Sequence, residues 1–446
     1  MNEGASDADA GASPRRPRVA ILGAGFGGLA TAWALRSKPV DVELIDRRNY
    51  HLFQPLLYQV ATADLSPADI AWPIRGVFSG QPNISVTLSE VRDIDLSAKQ
   101  AICTDRIIPY DYLIIATGAQ IDHFGNDHWA EHAPGLKRIV DATDIRRRVL
   151  LAFERAELAS DEAERIRQLT FVIVGGGPTG VEMAGAISEL ARYTLVQDFR
   201  RIRPADARVI LLEGGDRVLS SFPDDLSDKA RQSLEALGVE VRVSTLVQDI
   251  GADGVTTSDG FVPSATVVWG AGVKVRGVGN WLGVETDRGG RVQVDADLSV
   301  PGHPEVFVIG DAASVPWRDG ANVPGIAPAA KQMGRFVGRR IARELDGHAS
   351  DTPFRYRHYG NLATIGRNSA IIDFGRLRFS GFFAWWVWGI AHIAFLIGVR
   401  RPLFVALSWF WSYITYSKGA RLITGIPTLE SEPKQPRSAD SSAETL

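Results

Sequence analysis

Two short glycine-rich runs, about 150 residues apart, constrain this chain more than any other feature. The first is Val19-Ala20-Ile21-Leu22-Gly23-Ala24-Gly25-Phe26-Gly27-Gly28, and the second is Phe171-Val172-Ile173-Val174-Gly175-Gly176-Gly177-Pro178-Thr179-Gly180. Each follows a β-branched stretch and opens a segment rich in small and apolar residues, so each reads as a strand turning into a helix. In such a turn the first glycine permits the tight bend, the second lets the backbone approach a pyrophosphate, and the third lets the helix pack closely on the strand. The helix N-terminus then offers unpaired N–H groups and a partial positive charge to the phosphates. One copy builds an ordinary strand–helix turn as readily as a nucleotide site. Two copies in the same context point to a chain that holds two dinucleotides and relays electrons between them.

The surrounding pattern fits an α/β fold with two Rossmann-like dinucleotide-binding domains. Strands are predicted over 19–22 and 42–45 with a helix through 29–36, and a second unit runs through 170–174, a helix over 181–199, and 208–212. Asp46 closes the strand after the first run, 23 residues beyond Gly23, where a carboxylate can accept hydrogen bonds from ribose hydroxyls. Glu213 holds the matching place in the second unit. A carboxylate there repels a 2′-phosphate, so NADH is expected over NADPH. Two further strands run into turns, at Tyr112-Leu113-Ile114-Ile115-Ala116-Thr117-Gly118 and Val306-Phe307-Val308-Ile309-Gly310-Asp311-Ala312. The charged stretch 154–168 reads as a solvated helix or connection.

With 446 residues and 45% hydrophobic content the chain has room for two or three domains with real cores. A net charge of −3 gives no electrostatic case for nucleic acid. The single cysteine, Cys103, excludes an intramolecular disulfide and any Cys-x-x-Cys redox pair, and it reads as a small side chain buried in a strand. Residues 1–17 and 430–446 are polar and read as disordered tails, the first without the apolar core of a signal peptide, so the catalytic body is expected in the cytoplasm. No cluster of metal-ligating residues stands out. The last third differs: 381–399 carries no Lys, Arg, Asp or Glu and holds three tryptophans and three phenylalanines. Arg400-Arg401-Pro402 interrupts it, and 403–416 continues apolar with Trp409, Phe410, Trp411, Tyr413 and Tyr416. The arginines and dispersed aromatics suit helices lying at the headgroup boundary, with a membrane-spanning helix and a buried dimer core as the other readings. On the interfacial reading, a chain cut before Gly381 is expected to remain a flavoprotein and to become more soluble.

The body resembles two-dinucleotide flavoproteins, and within them the type II, non-proton-pumping NADH:quinone oxidoreductases. The general resemblance rests on Gly23-Ala24-Gly25-Phe26-Gly27-Gly28, Ala116-Thr117-Gly118 and Gly310-Asp311-Ala312. The specific one rests on His51-Leu52-Phe53-Gln54-Pro55-Leu56-Leu57-Tyr58-Gln59-Val60-Ala61, on Gly175 to Gly185, on Leu362-Ala363-Thr364-Ile365-Gly366-Arg367, and on the aromatic segment that follows. The resemblance covers about 18–425 and implies non-covalent FAD on residues 18–145 and 286–345, NADH on 146–285, and a membrane-associated C-terminal domain over 346–429. It places Gly23, Gly25, Gly28, Asp46, Gln54, Leu57, Thr117, Gly118, Gly310 and Asp311 at FAD, with a helix expected after Asp311. Gly175, Gly177, Gly180, Glu213, Gly270 and Gly272 fall at the nicotinamide nucleotide.

Glu182 is implied beside the nicotinamide and flavin. Its plainer reading is a carboxylate in the first turn of a helix, favoured by the helix dipole. The run Ala327-Pro328-Ala329-Ala330-Lys331-Gln332 stands where the family has its quinone-site helix. Gln332 aligns with a glutamine whose amide reaches a quinone carbonyl, Pro328 replaces another glutamine, and Lys331 is either a solvated charge or a flavin or quinone contact. The implied partners are a membrane quinone (ubiquinone or menaquinone), the inner face of the cell membrane, to which the protein binds peripherally, and a possible second copy of the chain. The reaction expected is oxidation of NADH through FAD to quinone without proton pumping. Other readings are a soluble-type reductase of a redox protein and a membrane-tethered NADH sensor of low turnover. A sulfide:quinone oxidoreductase or disulfide reductase needs a cysteine pair that is missing.

Overall fold

The computed structural model describes residues 15–318, 320–348, 352–395 and 420–424. Two parallel sheets dominate it, one for each glycine-rich run. The larger orders its strands Ser299–Val300, His303–Val308, Tyr112–Ile115, Arg18–Leu22, Asp41–Asp46 and Ile84–Leu88, all parallel except the first pair. The smaller orders Val239–Arg242, Arg208–Leu212, Thr170–Val174 and Thr266–Trp269, all parallel. In both, the strand leading into the glycines is flanked on either side by later strands. Its carboxyl end is therefore the switch point at which open α/β sheets bind ligands. Ile21, Leu22, Leu44, Ile114, Phe171 and Ile173 are fully or almost fully buried, as expected of strands covered on both faces.

The helices differ from the sequence reading in two places. The helix of the second unit is Pro178–Glu189, followed by one wider π-helical turn over Leu190–Thr194, so it begins earlier and ends sooner than 181–199. Proline suits that start because its missing N–H falls where no intrahelical partner exists. The Ile139–Leu158 helix runs straight through the expected domain boundary at 145/146, and 162–168 forms a second short helix. Between the sheets, Gln120–Ile121 and Val273–Lys274 pair antiparallel where the chain leaves one unit and returns.

Two elements carry the rest of the chain to the site. The Ala327–Leu345 helix lies against Phe26–Leu35 at glycine contacts: a Cβ on Gly334 would sit 2.2 Å from the Gly27 carbonyl oxygen, and Thr31 Oγ1 donates to the Gly334 carbonyl at 3.1 Å. This close approach brings the N-terminus of the long helix to the first glycine turn. The strands Asn361–Ile365, Ser369–Asp373 and Arg378–Gly381 form an antiparallel sheet on which Phe382–Phe395 packs. Ala384 and Trp388 face inward, fully or almost fully buried, while Phe383 and Ile390 are 70% and 64% exposed on the opposite face. Burying Trp388 alone contributes on the order of 2–3 kcal/mol, so a chain cut before Gly381 would uncover a core face. The second apolar run, 403–416, and the terminal stretches 1–14 and 425–446 lie outside the described residues.

Candidate functional site

The two glycine turns are built alike. Gly23 takes φ +103°, and a Cβ there would lie 2.5 Å from the Ala116 carbonyl oxygen. Gly175 takes φ +105°, with a Cβ 2.7 Å from Ala271. The third glycine of each run meets the first: a Cβ would come within 1.9 Å of the Gly23 oxygen at Gly28 and within 1.8 Å of the Gly175 oxygen at Gly180. The second glycines, Gly25 and Gly177, are the N-caps of their helices, have no side-chain cap, and face open space. Open space and free N–H groups at a helix N-terminus fit a pyrophosphate.

The carboxylates expected at the ribose hydroxyls also brace these turns. Asp46 Oδ2 accepts from the Ala24 N–H at 2.8 Å, and Oδ1 from Arg48 N–H at 2.8 Å. Glu213 repeats the arrangement, with Oε2 accepting from Gly176 N–H at 2.5 Å and Oε1 from Gly215 N–H at 2.6 Å. Thr117 and Gly118 abut the first turn, and Gly118 takes φ +71°. Gly270 donates to the Val174 carbonyl at 2.7 Å beside the second turn, whereas a Cβ on Gly272 would strike Asp122 and Phe124, so Gly272 is small for packing between the units.

Asp311 does not head a helix. It sits in a 3₁₀ turn, Gly310–Ala312, followed by the strand Ala313–Ser314. Its Oδ2 lies 3.9 Å from Lys137 Nζ, and Gln54 Nε2 donates to the Lys137 carbonyl at 3.4 Å. Lys137 therefore joins two expected flavin-site residues from opposite ends of the chain; it stands in no motif, and no sequence signal marked it. Leu57 is buried at the head of the Leu57–Ala61 helix. His51, quoted in a motif but given no role, is 1% exposed and donates from Nδ1 to the Ala24 carbonyl at 2.9 Å, bracing the same turn. Burial holds it at about pH 4, so the ring is neutral at neutral pH.

Glu182 is the fifth residue of its helix, outside the first turn, so a helix-dipole carboxylate is not the explanation for it. Part of the residue is accessible, but its carboxyl lies deep among protein atoms, and burial drives its pKa well above the carboxylate range despite a hydrogen bond from the Thr364 backbone. Tyr58 lies nearby; burial, then the Glu182 charge, raises its phenol well above the ordinary value, and its oxygen accepts from Gln59 Nε2 at 3.0 Å. The Glu182 carboxyl is thus a buried group whose charged form is disfavoured, reached by the His51–Ala61 motif and the Leu362–Arg367 motif together.

At the start of the long helix, Pro328 occupies the first turn, as a proline can. Lys331 Nζ stands 5.2 Å over the Phe26 ring, and burial, with the Arg335 charge, lowers its pKa to about 8. Lys331 is therefore a half-buried cation at the first glycine turn rather than a solvated charge. Gln332 is tied to the chain at 357: its Nε2 donates to the Arg357 carbonyl at 2.9 Å, and its Oε1 accepts from Arg357 N–H at 3.0 Å. These two bonds anchor the amide to the 357 backbone and use one of its two Nε2 hydrogens.

Two glycine cradles, each braced by an acidic strand end and set side by side in one chain, define a two-dinucleotide oxidoreductase. Residues 17–334 match the family model for pyridine nucleotide-disulphide oxidoreductases. The chain is 46% identical over 427 residues to the type II NADH:quinone oxidoreductase Ndh of Mycobacterium tuberculosis, covering 92% of this chain and 91% of that protein. It is 44% identical to NdhA of the same organism over 92% and 90% of the two chains. The structure of NDH2 from Plasmodium falciparum in complex with NADH, at 20% identity, superposes with a TM-score of 0.84 over 92% of this chain and 100% of that one, which shows a shared fold. The chain belongs to the pyridine nucleotide-disulphide oxidoreductases and, within them, to the type II NADH:quinone oxidoreductases.

Proposed function

We infer that this protein oxidises NADH and passes two electrons through a bound flavin to a quinone, without moving protons across a membrane. The balance is NADH + H⁺ + quinone → NAD⁺ + quinol. The observation that carries this reading is the repetition of one cradle geometry at Gly23–Gly28 and Gly175–Gly180 in a single chain. The first cradle fits a dinucleotide, so the flavin assigned to it is FAD, held by Gly23, Gly25, Gly28, Asp46, Thr117, Gly118, Gly310 and Asp311, with Gln54 and Leu57 on the same side. The second takes NADH through Gly175, Gly177, Gly180, Gly270 and Glu213.

Nicotinamide and flavin supply the hydride and electron chemistry. The chain's part is to align them and to exclude water. It also buries the Glu182 carboxyl, where the charged form is disfavoured, and keeps a positive charge on Lys331 beside the first cradle. Gly272 keeps the two units close. Phe382, Phe383, Trp386 and Ile390 expose a contiguous apolar face on the last described helix, and we assign that face to the cytoplasmic surface of the cell membrane, where the quinone resides. No helix among the described residues is long and apolar enough to cross a membrane.

Purified protein carrying its flavin, mixed with NADH under anaerobic conditions, is expected to bleach the flavin band. Short-chain ubiquinone or menaquinone should then restore it with formation of quinol, and the faster acceptor identifies the quinone class. A flavin that NADH reduces but neither quinone reoxidises would overturn the acceptor assignment.

A further inference from the structure

The Phe382–Phe395 helix contains one titratable side chain, His392, in a run otherwise of apolar residues. Its placement is specific. Ala384, Trp388 and His392 follow at intervals of four on one side of the helix, the first two buried and His392 half-buried against Trp388 and Phe53, opposite Phe383, Trp386 and Ile390. The imidazole lies against Trp388, ring centroids 4.3 Å apart, and Nδ1 bonds the Trp388 carbonyl at 2.8 Å. A carbonyl only accepts, so Nδ1 carries the hydrogen, and burial keeps the ring neutral to about pH 4. Nε2 is then a lone-pair acceptor, and among the described residues the His392 hydrogen bond is the one made by Nδ1.

This acceptor stands at the end of a row of rings leading to the first cradle. His392 meets the edge of Phe53 at 6.2 Å, Phe53 meets Phe26 at 5.8 Å, and Phe26 carries Lys331 Nζ at 5.2 Å and His51 at 5.0 Å. Phe26 is the first residue of the helix capped by Gly25, and Phe53 immediately precedes Gln54. One helix therefore presents an apolar face outward and, at its inner end, the His392 imidazole next to the flavin-side motif.

Building on the functional reading above, we propose that His392 positions the reduced head group: its Nε2 accepts the hydroxyl hydrogen of the quinol formed at this end of the aromatic row. The chemistry distinguishes product from substrate. A quinone carbonyl can only accept a hydrogen bond, and neutral Nε2 can only accept one, so the pair has no direct bond. A quinol hydroxyl donates, and in an apolar setting an unmet hydroxyl is costly. His392 is a positioning residue that favours the reduced ring over the oxidised one, for benzoquinone and naphthoquinone heads alike.

The test uses the full-length flavin-loaded protein in detergent, with a short-chain ubiquinol and its dimethyl ether as competing inhibitors of NADH-driven reduction of the short-chain quinone. In the wild type the ether, which cannot donate, should inhibit about fivefold more weakly than the quinol, the worth of one net hydrogen bond. His392→Phe should weaken the quinol about fivefold and the ether little, with the KM for quinone changed less than twofold. His392→Gln, which offers an amide oxygen in place of Nε2, should recover most of the preference for quinol. A wild-type protein that binds quinol and ether equally overturns the proposal, even if the Phe variant does not fold. So does a Phe variant of normal flavin content that keeps the preference, or a Gln variant as impaired as Phe. If the wild type reduces its flavin with NADH but forms no quinol, the acceptor reading itself fails, and the role of His392 falls with it.

Discussion

At Glu182 a carboxyl is held where solvation of its charge is poor, and the Thr364 N–H offsets only part of that cost. Its folded pKa lies above the unfolded value near 4.5, so the folded protein keeps a proton that the unfolded chain releases. The stability this contributes is complete below the unfolded value and is lost as pH rises toward the folded one. Glu182→Gln is neutral at every pH and nearly the same size. Thermal melts from pH 5 to 8 should show the Gln variant gaining on the wild type as pH rises, with flavin content unchanged; a constant gap would place an ionised carboxylate there. In stopped-flow traces the same variant should slow flavin reoxidation by quinone, because a titratable carboxyl is lost. Glu213 acts differently: its two oxygens brace the second cradle while offering an acceptor to ribose. Glu213→Ala should raise the KM for NADH about tenfold and narrow the preference over NADPH, since the carboxylate no longer repels a 2′-phosphate. Unchanged discrimination in steady-state assays would remove it from the nucleotide site.

Among the elements, the two strand–turn–helix units depend on atoms that are missing. A methyl group on Gly28 or Gly180 would sit within 1.9 or 1.8 Å of a backbone oxygen, a clash only backbone movement can relieve. The two substitutions should separate the two halves of the reaction. Gly28→Ala should purify largely without flavin colour. Gly180→Ala should retain flavin but lose at least about a hundredfold in the rate of its reduction by NADH, as misplacement at the reacting centre does. Absorbance of the purified proteins and single-turnover traces distinguish them, and a Gly180→Ala protein reduced at the normal rate would detach the second cradle from NADH. The long Ala327–Leu345 helix reaches the first cradle by the same device, through Gly334 and Gly338 against Gly27 and Ala34.

For the whole molecule, the question is how the nucleotide units meet the surface where the quinone lies. Helix Phe382–Phe395 does both jobs, with Trp388 in the core and Phe383, Trp386 and Ile390 outside. The informative variant therefore changes the outer face and leaves the inner one. Phe383→Ser, Trp386→Ser and Ile390→Ser together should cut sedimentation with anionic liposomes at least about threefold and depress turnover of a long-tailed quinone, with short-chain quinone turnover kept. A variant that sediments like the wild type would leave this face to a second copy of the chain, and its mass in solution would show that.

The residues that repeat locally were legible from the order of amino acids alone. The strands at 18–22, 41–46, 170–174 and 208–212, the glycine turns, and the acidic strand ends carry their meaning within a few positions, because backbone geometry and spacing are local properties. The family could be recognised on the same short motifs. The helix expected over 181–199 spans Pro178–Glu189 instead, since proline is tolerated in a first turn and a π-helical turn closes the far end. The helix expected after Asp311 is instead a 3₁₀ turn, because such a turn and a helix start share one signature. Other assignments needed the tertiary structure, because burial and contact join positions far apart in the chain. Lys137 meets Asp311 across 174 residues, Glu182 is enclosed by Tyr58 and Thr364, Gln332 is taken up by Arg357, and His392 reaches Phe53 from another helix. A side chain's spacing along the chain announces what it could bind; its protonation and its partner depend on which distant segments fold around it.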